Sequence, residues 1–248
     1  MMHKMKILIS QQTPTNLAPY ESLQSKFGAT VDFHPFFLME PLSAKEFRAE
    51  KINLPDYTAV VFSSRLAIDA YFKLCDEMRF KVPETMKYFC STEAVAMYLQ
   101  KHIVYRKRKI FFGDGTPQSI VGLVGPKHKG EKFLITASVG SNADTITALF
   151  ESAGLDWPLG MLVKALPQDL HELDLHSYDI IVMYNPSDVV SLKENFPDFK
   201  QGDIKFVSFG KSVVKAMEDA GFSIEVKAPT PEAPSVGRAI ELYLENNR

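Results

Sequence analysis

The sequence predicts an α/β protein of two similar domains, each a parallel sheet flanked by helices. The two are joined by a two-stranded linker, and the first is discontinuous. Three observations carry that prediction. Short apolar, β-branched runs alternate with helix-length segments along the 248 residues, the pattern of doubly wound parallel sheets with right-handed crossovers. The stretch Tyr57 to Ala70 (aromatic, buried strand, polar turn, helix) recurs from Tyr178 to Leu192. After Ser177 only three strand–helix units remain, too few for a whole sheet, while the strand Ile7 to Ile9 has no sheet of its own. Residues 1–39 are therefore expected to return and join 167–248, with 42–163 inserted as a second domain. The linkers fall at about 36–41 and 160–167, and thin extended linkers of that kind predict a hinge.

Each element has its own signal. Ile7 to Ile9 reads as a strand, and Tyr20 to Phe27 as a helix stopped by Gly28. Thr30 to Phe33 is a strand, His34 to Pro41 an extended connection, and Leu42 to Leu54 a helix or irregular segment ending at Pro55. Ala59 to Phe62 is apolar throughout, as a strand buried on both faces must be. Tyr88 to Cys90 opens through Ser91-Thr92-Glu93 into a helix over Ala94 to Lys101. Ile110 to Phe112 passes through Gly113-Asp114-Gly115-Thr116-Pro117 into a helix over Gln118 to Val124. Phe133 to Ile135 is a strand, Asn142 to Ala153 a helix closed by Gly154, and Met161 to Leu166 extended. After the second copy come a strand over Lys205 to Phe209, a helix over Val213 to Ala220 and a strand over Ile224 to Val226. Ala228-Pro229-Thr230-Pro231 then turns into a last helix ending near Leu244.

The duplication continues beyond its first unit. Met86 to Val95 answers to Asp203 to Val213, and Thr116 to Gly122 to Thr230 to Gly237. Three units in one order, at an offset of roughly 115–120 residues, fit two domains and not a solenoid.

Composition narrows the function. A net charge of −2 argues against a nucleic-acid binder. No apolar run approaches a membrane span or a signal-peptide core, so no membrane association is expected and the cytoplasm is the expected location. Cys75 and Cys90 read as reduced core residues. His3, His34, His102, His128, His171 and His176 show no metal-ligand spacing, and no serine lies in a nucleophile elbow, so neither a metal nor Ser-His-Asp chemistry is expected. The hydroxyl-rich turns at strand ends remain: Ser63, Ser64, Ser91, Thr92, Thr116, Asn185, Ser187, Ser212 and Thr230. As helix caps they need no ligand; as helix N-termini at the carboxyl ends of parallel strands they can hold anions. Arg65 and Lys211 would add charge. The basic run 105–109 is either a solvated loop or a device that steers an anion.

These turns, in this order, resemble the uroporphyrinogen-III synthase family over essentially the whole chain. Val61-Phe62-Ser63-Ser64-Arg65-Leu66-Ala67 is similar to that family's FTS-x-x-A turn, and Met183-Tyr184-Asn185-Pro186-Ser187 to its F-x-SPS turn. Phe209-Gly210-Lys211-Ser212 with Ala220-Gly221, and Ala228-Pro229-Thr230-Pro231-Glu232-Ala233, supply the rest. The resemblance implies a cytoplasmic monomer of two α/β domains whose active site lies in the cleft between them. It implies cofactor-free closure of hydroxymethylbilane, a linear tetrapyrrole polycarboxylate, to uroporphyrinogen III with inversion of ring D and loss of water, in heme biosynthesis. The turn residues named above would then bind substrate carboxylates. The sequence departs from the family at the second linker, where Leu162-Val163-Lys164 replaces a tyrosine proposed as proton donor; Lys164 and Tyr20 are the remaining candidates. Glu93 in the inserted domain would repel a carboxylate if it faced one. A non-catalytic protein that binds a tetrapyrrole or another anion on the same fold is the alternative, and a nucleotide-sugar enzyme a weaker one.

Overall fold

The computed structural model describes residues 4–139 and 143–247, so His3 and the expected helix start at Asn142 lie outside the described residues. In chain order the elements are β1 (Lys6–Ile9), α1 (Ala18–Phe27), β2 (Thr30–Phe33), β3 (Phe37–Pro41), a short α2 (Ala44–Phe47), β4 (Ala59–Phe62) and α3 (Arg65–Glu77). Next come β5 (Lys87–Cys90), α4 (Glu93–Tyr98), β6 (Ile110–Phe112), α5 (Pro117–Val124), β7 (Phe133–Ser138), α6 (Asp144–Ser152) and β8 (Leu159–Pro167). The chain ends with β9 (Ile180–Met183), α7 (Pro186–Asn195), β10 (Lys205–Phe209), α8 (Lys211–Asp219), β11 (Ile224–Ala228) and α9 (Val236–Asn246).

The chain divides into two compact units, Met1–Leu38 with Leu166–Arg248, and Met39–Ala165. Both divisions fall inside β3 and β8, which are hydrogen-bonded neighbours in one sheet and not isolated tethers. The first unit carries a sheet of order β11-β10-β9-β1-β2, and the second lies around β3-β8-β7-β4-β5-β6. The described registers within β1, β2, β9, β10 and β11, and within β4 to β8, are parallel. Written from the other edge, β2-β1-β9-β10-β11 follows the same spatial plan as β8-β7-β4-β5-β6. The strands of the sequence repeat occupy equivalent places: β4, β5 and β6 in one unit, β9, β10 and β11 in the other.

The cores explain the uninterrupted apolar runs. In β4, Val60 and Phe62 enter one buried cluster with Phe47, Tyr71 and Leu134, while Ala59 and Val61 enter another with Phe89, Phe133 and Phe150. In β1, Leu8 packs with Phe206 and Met217 on one face, and Ile7 and Ile9 pack with Val207 and Ile240 on the other. Helices cover both faces, so both sets of side chains must be apolar. Gly28, at φ 67°, ends α1 in the left-handed conformation that glycine adopts without cost. Cys75 and Cys90 are buried thiols, and burial pushes both up to about 12.

Two expected elements shift. Leu42 to Leu54 is largely broken into single turns: the capping box Ser43/Glu46 starts only a four-residue helix. The last helix begins at Val236, capped by Ser235, whose side chain accepts from the Arg238 amide. Thr230 instead closes a tight turn with Ala233, in which each amide donates to the other's carbonyl. Among the described residues, no helix is long and apolar enough to cross a membrane.

Candidate functional site

In open parallel sheets, ligands bind beyond the carboxyl ends of the strands, where the strand order reverses. In the second unit that point lies between β4 and β7, and a cavity of about 260 Å3 opens there. Ser63, Ser91, Thr116, Thr136 and Ser138 supply hydroxyls around it, over an apolar floor that includes Ile120 and Ile135. Three of the residues expected from the sequence, Ser63, Ser91 and Thr116, are thus brought to one crevice.

Local chemistry builds the rim. Ser91 donates from Oγ to the Ser63 carbonyl at 3.2 Å, tying the turn after β5 to the turn after β4. Its own carbonyl accepts from the Gly115 amide at 2.8 Å, which brings in the turn after β6. Thr116 caps α5, accepting from the Ser119 amide at 3.3 Å, and donates from Oγ1 to Asp114 at 2.6 Å. Donors on Thr116 and Ser119 hold the Asp114 carboxyl below its usual range. Gly113 permits this closeness, because a Cβ there would lie 2.0 Å from Ser119 Oγ and 3.3 Å from the Ser91 carbonyl oxygen.

Other expected residues stand aside from this cavity. Ser64 caps α3 by accepting from the Ala67 amide at 3.1 Å, and Thr92 caps α4 by accepting from Val95 at 3.4 Å. Both hydroxyls cap helices, as that of Thr116 does, and neither residue lines the cavity. The Arg65 guanidinium lies 5.6 Å from the centre of the Tyr98 ring, a cation–π contact that draws it toward α4. Glu93 is exposed in the first turn of α4 and does not line the cavity. The basic run precedes β6 and so sits at the amino-terminal rim of the sheet, the end opposite the crevice. Steering into the crevice is the weaker of its two readings.

In the first unit the reversal lies between β1 and β9. Asn185 caps α7, its Oδ1 accepting from the Ser187 amide at 2.9 Å. Asp188 completes a capping box, its Oδ2 accepting from the amides of Tyr184 at 2.8 Å and Asn185 at 3.0 Å. Its Oδ1 and the Ser10 Oγ are both buried without a hydrogen bond of normal geometry. Burial raises the Asp188 carboxyl to about 6, against the pull of the two amides and the nearby Ser10 hydroxyl. Lys211 and Ser212 lie exposed in the first turn of α8, beyond β10, and Thr230 lies beyond β11. Gly210 joins β10 to α8 at φ 126°, a conformation open to glycine alone.

The two candidate acids differ. The Lys164 ammonium is 2.6 Å from Glu46 and 3.6 Å from Glu40. The Glu46 partnership raises the lysine and, with Ser43, holds Glu46 down at about 2. A lysine so paired is a poorer acid than a free one. Tyr20, half-buried on α1, meets Phe33 edge-on at 5.0 Å and shares a hydrogen bond with Tyr184. Burial raises both phenols, so each keeps its proton.

Sequence reasoning missed Thr136, Ser138, Ser10 and Asp188. Thr136 and Ser138 lie just beyond the strand expected at Phe133 to Ile135; the strand runs on to Ser138, where their period-2 spacing puts them on one face. The Thr136 hydroxyl donates to the Val61 carbonyl at 2.7 Å, bridging the two strands that flank the crevice.

A family profile described as uroporphyrinogen-III synthase HemD matches residues 19–236. The fold is similar to that of uroporphyrinogen-III synthetase from Helicobacter pylori, with a TM-score of 0.56 and 15% identity over 98% of this chain and 99% of that one. It is also similar to a mutant uroporphyrinogen III synthase from Thermus thermophilus, with a TM-score of 0.51 and 14% identity over 98% and 100% of the two chains. No curated protein matches the chain by sequence.

Proposed function

The chain belongs to the uroporphyrinogen-III synthase family, and from that premise we propose that it closes hydroxymethylbilane to uroporphyrinogen III, inverting ring D and releasing water. The observation that carries this reading is the family match over residues 19–236. The crevice chemistry supports it. At about 260 Å3 the cavity is below the roughly 300–1,000 Å3 of a site for a drug-sized ligand, so it suits one substituted pyrrole and not a macrocycle. Its hydroxyls, and the helix N-termini behind them, suit the carboxylates such a ring carries. Each helix terminus contributes about 0.3–1 kcal/mol per anion, so several together hold a flexible polyanion on a protein with no basic surplus.

In the proposed reaction the substrate hydroxyl takes a proton and leaves as water. The exposed methylene carbon becomes cationic and conjugated with its pyrrole. Ring D then attacks through its substituted α-carbon, giving a spiro intermediate that reopens and closes in the inverted sense, with loss of a proton. The protein's part is positioning and charge placement. Ser63, Ser91 and Thr116 hold carboxylates in the second unit; Asn185, Ser187, Lys211, Ser212 and Thr230 do so in the first. Tyr20 and Lys164 are the candidate proton donors, Tyr20 held to its proton by burial and Lys164 by its pairing with Glu46.

Freshly prepared hydroxymethylbilane tests the proposal. Uncatalysed closure gives the symmetric isomer I; the expected product with this protein is isomer III, and failure to enrich it rejects the proposal. Tight product binding without turnover would instead favour a non-catalytic tetrapyrrole-binding protein, the reading supported by the absence of a tyrosine at Leu162-Val163-Lys164. Tyr20→Phe is expected to lower kcat with KM unchanged.

A further inference from the structure

The amino-terminal rim of the second unit holds a cavity of about 160 Å3 that the proposed reaction does not use. Its body is apolar, lined by Val82, Met86, Tyr88, Ile103 and Ile110, of which Met86, Tyr88 and Ile110 belong to the core behind. Its mouth is ionic. The Arg106 guanidinium is 3.2 Å from the Glu84 carboxylate, and the Lys109 ammonium donates to the Glu84 backbone carbonyl. One residue thus engages both cations across the two loops that frame the opening.

That clasp indicates what the cavity accepts. The Glu84 carboxylate is 82% exposed, and an ion pair so open to water contributes little, so it exchanges readily. Lys107 and Arg108 stand exposed beside it and make the rim net positive. Val104, also lining the mouth, is 78% exposed, a large apolar side chain left in water. An apolar cavity of about 150 Å3 is large enough for a benzene ring. A guanidinium fork matches a carboxylate or a phosphate, and the group it already holds here is the Glu84 carboxylate.

We propose that this cavity is a second binding site, for a compact monocarboxylate with a ring-sized apolar body. The ring packs on Met86, Tyr88 and Ile110, and the carboxylate replaces Glu84 on Arg106. The site lies at the opposite end of β5 and β6 from the crevice, so it stands or falls apart from the proposed reaction.

The test titrates the full chain with phenylacetate, and with 2-phenylethanol as its neutral counterpart, following backbone amides by NMR. Saturable shifts at Met86, Tyr88, Ile103 and Ile110 are expected, with a dissociation constant on the order of 1 mM. 2-Phenylethanol should bind about tenfold more weakly, and Arg106→Ala should weaken phenylacetate by about the same factor. Glu84→Ala, which removes the internal competitor, should tighten it about threefold. Absence of saturable shifts up to about 20 mM overturns the proposal. Equal binding of the alcohol, or weaker binding by Glu84→Ala, overturns it as well.

Discussion

Asp188 shows what one buried carboxylate does to the stability of its unit. It is 1% exposed and titrates at about 6 where an ordinary aspartate titrates at 3.8. Below 3.8 both the folded and unfolded chains hold the proton. Between 3.8 and 6 the unfolded chain releases it while the folded one keeps it, so folding loses ground as pH rises. Above 6 the loss is complete, about 3 kcal/mol. Carboxylates held below their usual range, such as Asp69 and Glu131, act in the opposite sense. The comparison of wild type with Asp188→Asn isolates the effect, since asparagine keeps an acceptor for the Tyr184 and Asn185 amides. Urea unfolding at pH 4, 5, 6 and 7.5 is expected to show the variant gaining stability over wild type as pH rises. A variant that is less stable at pH 7.5 would show that the charge is needed by the cap.

At the scale of elements, the strand-to-helix turns were legible in the sequence and their employment was not. Alternating apolar runs and glycine stops locate most strands and helices, because both reflect local chemistry. Whether a hydroxyl faces a crevice or a backbone amide depends on which turns become neighbours. Ser63 and Ser64 are adjacent in sequence, yet one lines the crevice and the other caps α3. Lys164 reads as a free cation until β8 brings it beside Glu46. The turn after β6 is the element on which the crevice rim depends. Gly113→Ala should destabilise the protein by about 1–3 kcal/mol, because the added methyl must displace Ser119 and press on the Ser91 carbonyl. Ser119→Ala in the same chain should recover part of the loss, since the closest clash, 2.0 Å to Oγ, disappears. Additive effects in the double variant would mean that the turn yields elsewhere.

For the whole molecule, the repeat and the sheets describe the same duplication. β4-β5-β6 and β9-β10-β11 hold equivalent places, but the strands completing each sheet differ in chain position: β7 and β8 follow in one unit, β1 and β2 precede in the other. That permutation makes the first unit discontinuous, and it was visible only as a shortage of strands after Ser177. Each unit closes its own core on both sheet faces, and Met39–Ala165 forms one unit from a single stretch of chain. We therefore propose that 39–165 is a domain in the energetic sense. Expressed alone, it loses Phe37 and Leu38 of β3 and Leu166 and Pro167 at the end of β8 but retains the rest of β8-β7-β4-β5-β6 with both clusters. It is expected to unfold cooperatively in urea and to keep the crevice hydroxyls Ser63, Ser91 and Thr116 in place. Its amide NMR spectrum should overlay the corresponding signals of the full chain, apart from those next to β3. A fragment with collapsed chemical-shift dispersion and no cooperative transition would show that the inserted unit depends on the rest of the chain to fold.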